Sequence, residues 1–139
     1  MGRINVKSVI VGGLVAGLVL NIIDYLVYGM WLAPDLNAAL QSAGKKPADS
    51  LIPLFVLLDF IYGIVLVYLY AAIRPRFGAG PGTAVHAGLI MWIIAALLHA
   101  IGEAPFGLLP MKLYTMGTLV GLIEFPIATI AGAKFYREM

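Results

Sequence analysis

Six side chains in this sequence could do chemistry in surroundings that are otherwise apolar: Asn21, Asp24, Asp59, His99, Glu103 and Glu124. Carboxyls and an imidazole can hold a proton or a cation, and an amide can hydrogen-bond across helices. In lipid, a charged side chain near the bilayer centre costs roughly 2.5–3.5 kcal/mol even on lenient insertion scales. Such groups therefore face a protein interior, and each marks a functional site by default. His99 and Glu103 are four residues apart, so both fall on one helix face. Di-metal bundles carry Glu-x-x-His pairs, and none occurs here. His86 and His99 are separated by about 20 Å of helix and point to nearly opposite sides, so they do not form a haem ligand pair. The chain has no cysteine, hence no disulfide, thiolate site or cysteine nucleophile. His99 beside carboxylates could serve as a general base, but no nucleophile motif accompanies it. The expectation is a non-enzyme with no catalytic set, no metal and no cofactor.

The elements that must position these groups are set by composition. Hydrophobic residues make up 62% of the 139 and charged residues 12%, about half the usual charged share of a soluble domain. With a mean hydropathy of +0.98, the chain reads as an integral membrane protein. The apolar stretches predict four spans, about 6–28, 51–73, 83–101 and 112–135, in one transmembrane domain covering 1–139. Each approaches the ~20 residues that cross ~30 Å of hydrocarbon. The fold class expected is all-α, a four-helix membrane bundle. The first span, preceded by Arg3 and Lys7, resembles a signal peptide without a prompt cleavage site and reads as a retained anchor.

Basic residues orient the bundle. Arg3, Lys7, Arg74, Arg76, Lys134 and Arg137 lie on the side of the termini, against Lys45, Lys46 and Lys112 opposite. The positive-inside rule then puts both termini in the cytoplasm. Arg74 and Arg76 suit lipid phosphate head groups, and the small net charge of +2 does not suit nucleic acid. Tyr28, Trp31, Phe106 and Tyr114 are expected at the outer interface, with Tyr68, Tyr70, Phe77, Phe135 and Tyr136 at the inner one. In the long first loop, Asp35 to Ala43 reads as a short helix opened by Pro34 and closed by Gly44. Its apolar face would lie on the outer surface or cover the bundle as a lid. Arg74 to Gly82 reads as a tight cytoplasmic turn.

Helix periodicity gathers the polar groups. Asp59, Tyr62 and Gly63 share a face of the second span; Gly13, Gly17, Asn21, Asp24 and Tyr28 share a stripe of the first, and Gly117, Gly121, Glu124, Ala128 and Gly132 share one of the fourth. Each stripe begins with Gly-x-x-x-Gly, which lets backbones approach closely in lipid. Taken at 1.5 Å per residue, Glu124 lies near the midplane, Asp59 about 5 Å outward, Asp24 and His99 about 9 Å, and Glu103 about 15 Å. The result is a ladder confined to the outer half. Pro126 cannot donate to the carbonyl of Leu122, so a kink or loosened turn is expected beside Glu124. A faint duplication places Leu57-Leu58-Asp59-Phe60 over Leu122-Ile123-Glu124-Phe125 and Gly13 over Gly88, suggesting two parallel hairpins.

Two readings of the ladder stand side by side. In one, the polar groups hydrogen-bond across helices and fix the bundle's register, each bond averaging ~0.6 kcal/mol. In the other, they form a path or pocket for protons, a cation or a small cationic solute.

The stretch Ala71-Ala-Ile-Arg-Pro-Arg-Phe-Gly-Ala-Gly-Pro-Gly-Thr-Ala84, with Ile4-Asn-Val-Lys7 and Gly12-Gly-Leu-Val-Ala-Gly17, resembles uncharacterised small bacterial membrane proteins with four predicted spans. The resemblance implies a bacterial inner membrane and no activity. Taken together, these features lead to an expected role as a non-enzymatic accessory or scaffold component. It would act through helix association, as a homo-oligomer or as a subunit of a larger membrane complex. The alternative is a proton- or cation-linked carrier or binding protein using the outer-half acids and His99.

Overall fold

A computed structural model describes residues 2–139. Among them every regular element is helical. α1 (Val6–Leu26) continues into a π-helical turn over Val27–Trp31, and α2 (Ala33–Ser42) follows. A 3₁₀ turn (Ala48–Leu51) leads into α3 (Ile52–Phe77). α4 (Pro81–Trp92) passes through a second π-helical turn, Ile93–Leu97, into α5 (Leu98–Glu103) and the 3₁₀ turn Ala104–Phe106, and α6 (Met111–Ala133) closes the chain. Joined end to end these give four helices long and apolar enough to cross a membrane: Val6–Trp31, Ala48–Phe77, Pro81–Phe106 and Met111–Ala133. The chain is a multi-pass membrane protein built as a four-helix bundle. We call its two ends the terminal end and the lid end.

Local chemistry sets the helix boundaries. Asn5 caps α1, its side-chain oxygen accepting from the Ser8 N–H at 3.1 Å. Prolines open α2, α3 and α4 within their first two residues, where a missing N–H costs nothing. α2 begins two residues earlier than expected and ends where Gly44, at φ +70°, turns the chain. Arg74 to Phe77 departs from the expected turn: these residues are helical, with Pro75 inside the last stretch of α3. The ring's fixed φ suits a helix, and so close to the C-terminus the missing donor leaves only one carbonyl, that of Ala71, without its helix partner. The connection shrinks to Gly78–Gly80, whose glycines at φ +87° and +132° take backbone shapes other residues resist. Thr83 Oγ1 donates to the Gly78 carbonyl at 2.6 Å and Tyr70 Oη accepts from the Gly80 N–H at 3.2 Å, pinning the turn.

Helix contact is made by small residues, because lipid offers no hydrophobic drive for association. Ala16, Ala84, Ala87 and Ala128 are fully buried beside Leu66 and Val67. At Gly13 a Cβ would lie 2.5 Å from Ile64 Cα, so α1 and α3 meet backbone to backbone. Gly88 meets Pro126 in the same way across α4 and α6. The two glycines that overlie each other in the proposed duplication thus each make a backbone-to-backbone approach within their respective hairpins.

The terminal end is tied by its own ends. Tyr136 Oη accepts from the Asn5 N–H at 3.3 Å, and Ser8 Oγ accepts from the Arg137 N–H at 2.8 Å. Tyr70 and Tyr136, expected at the interface, are instead buried, packed edge to face at 6.0 Å. Their hydroxyls reach backbone N–H groups, which lets a phenol sit in the core. Arg74 lies 5.5 Å over the Tyr136 ring and 4.0 Å from Glu138, turned partly away from the head-group position expected for it.

Candidate functional site

A cavity of about 280 Å³ opens at the lid end, and all four spans contribute to it. Its carboxyls come from all four: Asp24, Asp59, Glu103 and Glu124. Asp24 of α1, Asp59 of α3 and Glu124 of α6 line it together. Glu124 is only 6% exposed. Its Oε2 and Asp24 Oδ1 are buried without a hydrogen-bond partner. The helix stripes of the sequence account for this meeting. The Gly13 and Gly17 contacts seat α1 on α3, which brings Asp24 beside Asp59, and the Gly88 contact seats Pro126 and hence the neighbouring turn of Glu124.

His99 and Glu103 line the same cavity from α5, where His99 Nε2 and Glu103 Oε2 are 2.7 Å apart. The His99 side chain is 67% exposed, so it belongs to the rim and not to the floor. Asn21 is turned away from the acids. Its Nδ2 donates to the carbonyl of Gly17 at 3.0 Å and to that of Val56 at 3.4 Å, a cross-helix tie. His86 is remote, stacked on Phe77 at 5.1 Å near the terminal end. The ladder therefore divides into a carboxyl trio of buried Glu124 with half-buried Asp24 and Asp59, a more exposed His–Glu pair at the rim, and a structural amide.

The remaining glycines of the expected packing faces are engaged inside the chain. Gly17 meets Phe60, with its Cβ position 2.7 Å from Phe60 Cα. Gly117 leaves room for the Tyr28 hydroxyl, and Gly121 for the edge of Trp92. α6 runs unbroken through Pro126, so that proline removes one backbone donor without ending the helix, and its buried ring is a packing surface for Gly88. Just beyond it, Thr129 Oγ1 donates to the Phe125 carbonyl at 2.6 Å.

The aromatic wall was half legible in the sequence: Tyr28 and Tyr62 fall on faces expected to turn inward, and Tyr114 and Phe125 were missed. Tyr28, Tyr62, Tyr114 and Phe125 line the cavity, with Tyr62 and Phe125 6.0 Å apart. Tyr28 was expected both at the depth of the interface and on the inward stripe of Asp24; for Tyr114 the depth was legible and the inward direction was not. Both π-helical turns border the cavity, one through Tyr28 and the other through Ala95 and Ala96. Such turns insert a residue into the hydrogen-bond ladder and occur frequently at functional sites. Leu36 of α2 reaches the mouth, and Lys112 Nζ holds Asp35 Oδ2 of the same helix at 3.0 Å. α2 is thus a lid latched to the start of α6.

Among the described residues, no set of three His, Cys, Asp or Glu side chains is arranged to hold a metal ion. No protein-family description, curated protein or solved structure matches the chain.

Proposed function

We propose that this protein binds a cation at the carboxyl floor of the lid-end cavity and exchanges it against protons. The observation that carries the reading is the meeting of buried Glu124 with half-buried Asp24 and Asp59 in one cavity, with two of their oxygens buried and unpartnered. Carboxyl oxygens brought together away from water need something positive among them, a proton or a cation. The two occupants compete for the same oxygens, so cation binding releases protons and strengthens as pH rises. The titratable groups that line the cavity are Asp24 and Tyr28 of the first span, Asp59 and Tyr62 of the second, His99 and Glu103 of the third, and Tyr114 and Glu124 of the fourth.

The expected accessory or scaffold role drew on the Gly-x-x-x-Gly faces. Gly13, Gly17, Gly117 and Gly121 are engaged within the chain and leave those faces little to offer a partner. The cavity is then the feature with most to offer a ligand. By the charge bias of the loops, the terminal end belongs in the cytoplasm and the cavity opens outward, in a bacterial inner membrane.

The test is reconstitution of the full chain in liposomes with a pH-sensitive dye. Addition of a series of inorganic and organic cations on the cavity side should release protons in a saturable way. Glu124→Gln and Asp59→Asn should abolish that release while the protein elutes and melts as before. A proton signal that survives both substitutions would overturn the reading.

A further inference from the structure

The cavity is larger than a bare inorganic ion needs, and Tyr28, Tyr62, Tyr114 and Phe125 line it together with Asp24, Asp59 and Glu124, while His99 and Glu103 stand at the rim. Among the described residues no set of His, Cys, Asp or Glu side chains is arranged to hold a metal ion. An inorganic ion would need oxygens on several sides; an organic cation needs them only around its charged end. The aromatic faces suit the remainder of such a molecule, by apolar contact and by attraction of a cation to the ring.

The unpartnered atoms narrow the class. Asp24 Oδ1 and Glu124 Oε2 are acceptors buried without donors, and Glu124 is more than nine-tenths buried. A primary ammonium brings three N–H donors to one point, whereas a quaternary ammonium brings none. We infer that the cavity binds a small primary amine in its ammonium form, the N–H groups on Asp24 and Glu124 and an apolar or aromatic body against the tyrosines. This rests on the proposed reading of the site as a cation site and adds the identity of the cation's chemistry.

The experiment uses the full chain in lipid nanodiscs, with Trp92 fluorescence and calorimetry as readouts. Trp92 packs against Gly121, one of the cavity-lining positions. Three probes are compared: phenethylammonium, its N,N,N-trimethyl analogue, and sodium or potassium chloride. Phenethylammonium should bind saturably at one site per chain, and the trimethyl analogue at least tenfold more weakly. Glu124→Gln should weaken phenethylammonium roughly thirtyfold, the effect of truncating one partner of a buried charged hydrogen bond. Tyr62→Leu, which leaves the carboxyls in place, should weaken it by a smaller factor and leave the melting temperature near its starting value.

The outcomes separate cleanly. Equal binding of the trimethyl analogue overturns the primary-amine assignment and leaves a cation site. Saturable binding of sodium or potassium that phenethylammonium does not displace does the same. Failure of every probe, together with no proton release, removes both the ligand class and the proposed function.

Discussion

Gly88 of α4 lies directly against the ring nitrogen of Pro126 in α6: a Cβ built on Gly88 would sit 2.6 Å from that nitrogen and equally close to Pro126 Cα. The obstacle is backbone, and a backbone that proline already stiffens cannot give way. Gly88→Ala should therefore destabilise the bundle by about 1–3 kcal/mol, the usual cost of overpacking. Gly102 is the matched control, since it is also helical but nothing lies within 4 Å of its Cβ position. Gly102→Ala should be neutral or stabilising by up to about 1 kcal/mol through helix propensity. Thermal unfolding in one detergent, followed by circular dichroism, compares the two. Equal melting temperatures for the two variants would mean that the α4–α6 contact is looser than the geometry says.

The carboxyl trio makes a prediction in which stability and function part company. Glu124 has an oxygen with no partner, and replacing buried ionic groups by apolar ones of similar volume is often neutral or stabilising by about 1–4 kcal/mol. Glu124→Met should raise the melting temperature and abolish proton release. If Glu124 instead served only to fix helix register, the same substitution would lower the melting temperature. Asp24→Asn combined with Glu124→Gln should cost no more binding than either change alone, because both report one shared site.

Much of this arrangement was legible in the residues. Four apolar stretches with few charges fix the spans, and the glycine stripes with Asp24 and Glu124 fix which faces turn inward. Three features were not legible, each for a physical reason. The π-helical turns at Val27–Trp31 and Ile93–Leu97 differ from α-helix by one inserted residue, and no residue type marks the insertion. Tyr28, four residues after Asp24, lines the same cavity, while the His99 side chain is exposed at its rim. Arg74 to Phe77 stayed helical because a proline near a helix end forfeits little, whereas Pro and Arg together read locally as a turn. Tyr70 and Tyr136 went to the core because the Tyr70 hydroxyl reaches the Gly80 N–H of the turn that follows its helix and the Tyr136 hydroxyl reaches the Asn5 N–H from the other end of the chain. Composition near a span end cannot tell such a tyrosine from an interfacial one.

The latch between α2 and α6 should govern access more than stability. Lys112 and Asp35 are 3.0 Å apart, but their side chains are 56% and 40% exposed. An exposed pair of this kind contributes roughly 0.2–1 kcal/mol and is screened by salt. Lys112→Ala should leave the melting temperature nearly unchanged while amide exchange over Ala33–Ser42 quickens. Raising the ionic strength should produce the same acceleration in the unaltered protein and little further change in the variant. Exchange that is indifferent to both would show that the apolar contact of Leu36, and not the ion pair, holds the lid.

Trp92 offers a direct view of the wall behind the acids. Its Nε1 donates to the Thr118 carbonyl at 2.8 Å, and Thr118 Oγ1 donates to the Tyr114 carbonyl at 2.7 Å. Thr118 and Tyr114 both line the cavity, so this pair of bonds connects α4 to the α6 wall. Trp92→Phe removes the donor and leaves a carbonyl that the helix ladder already serves, so the loss should be about 1 kcal/mol, near the net value of one hydrogen bond. The chain has two tryptophans, and Trp31 is 55% exposed at the lid end. Trp31→Phe therefore isolates the Trp92 signal. That signal should shift on loading the cavity with phenethylammonium, and the shift should vanish in Trp31→Phe combined with Glu124→Gln. A shift of equal size without the carboxyl would place the ligand somewhere other than the floor formed by Asp24, Asp59 and Glu124.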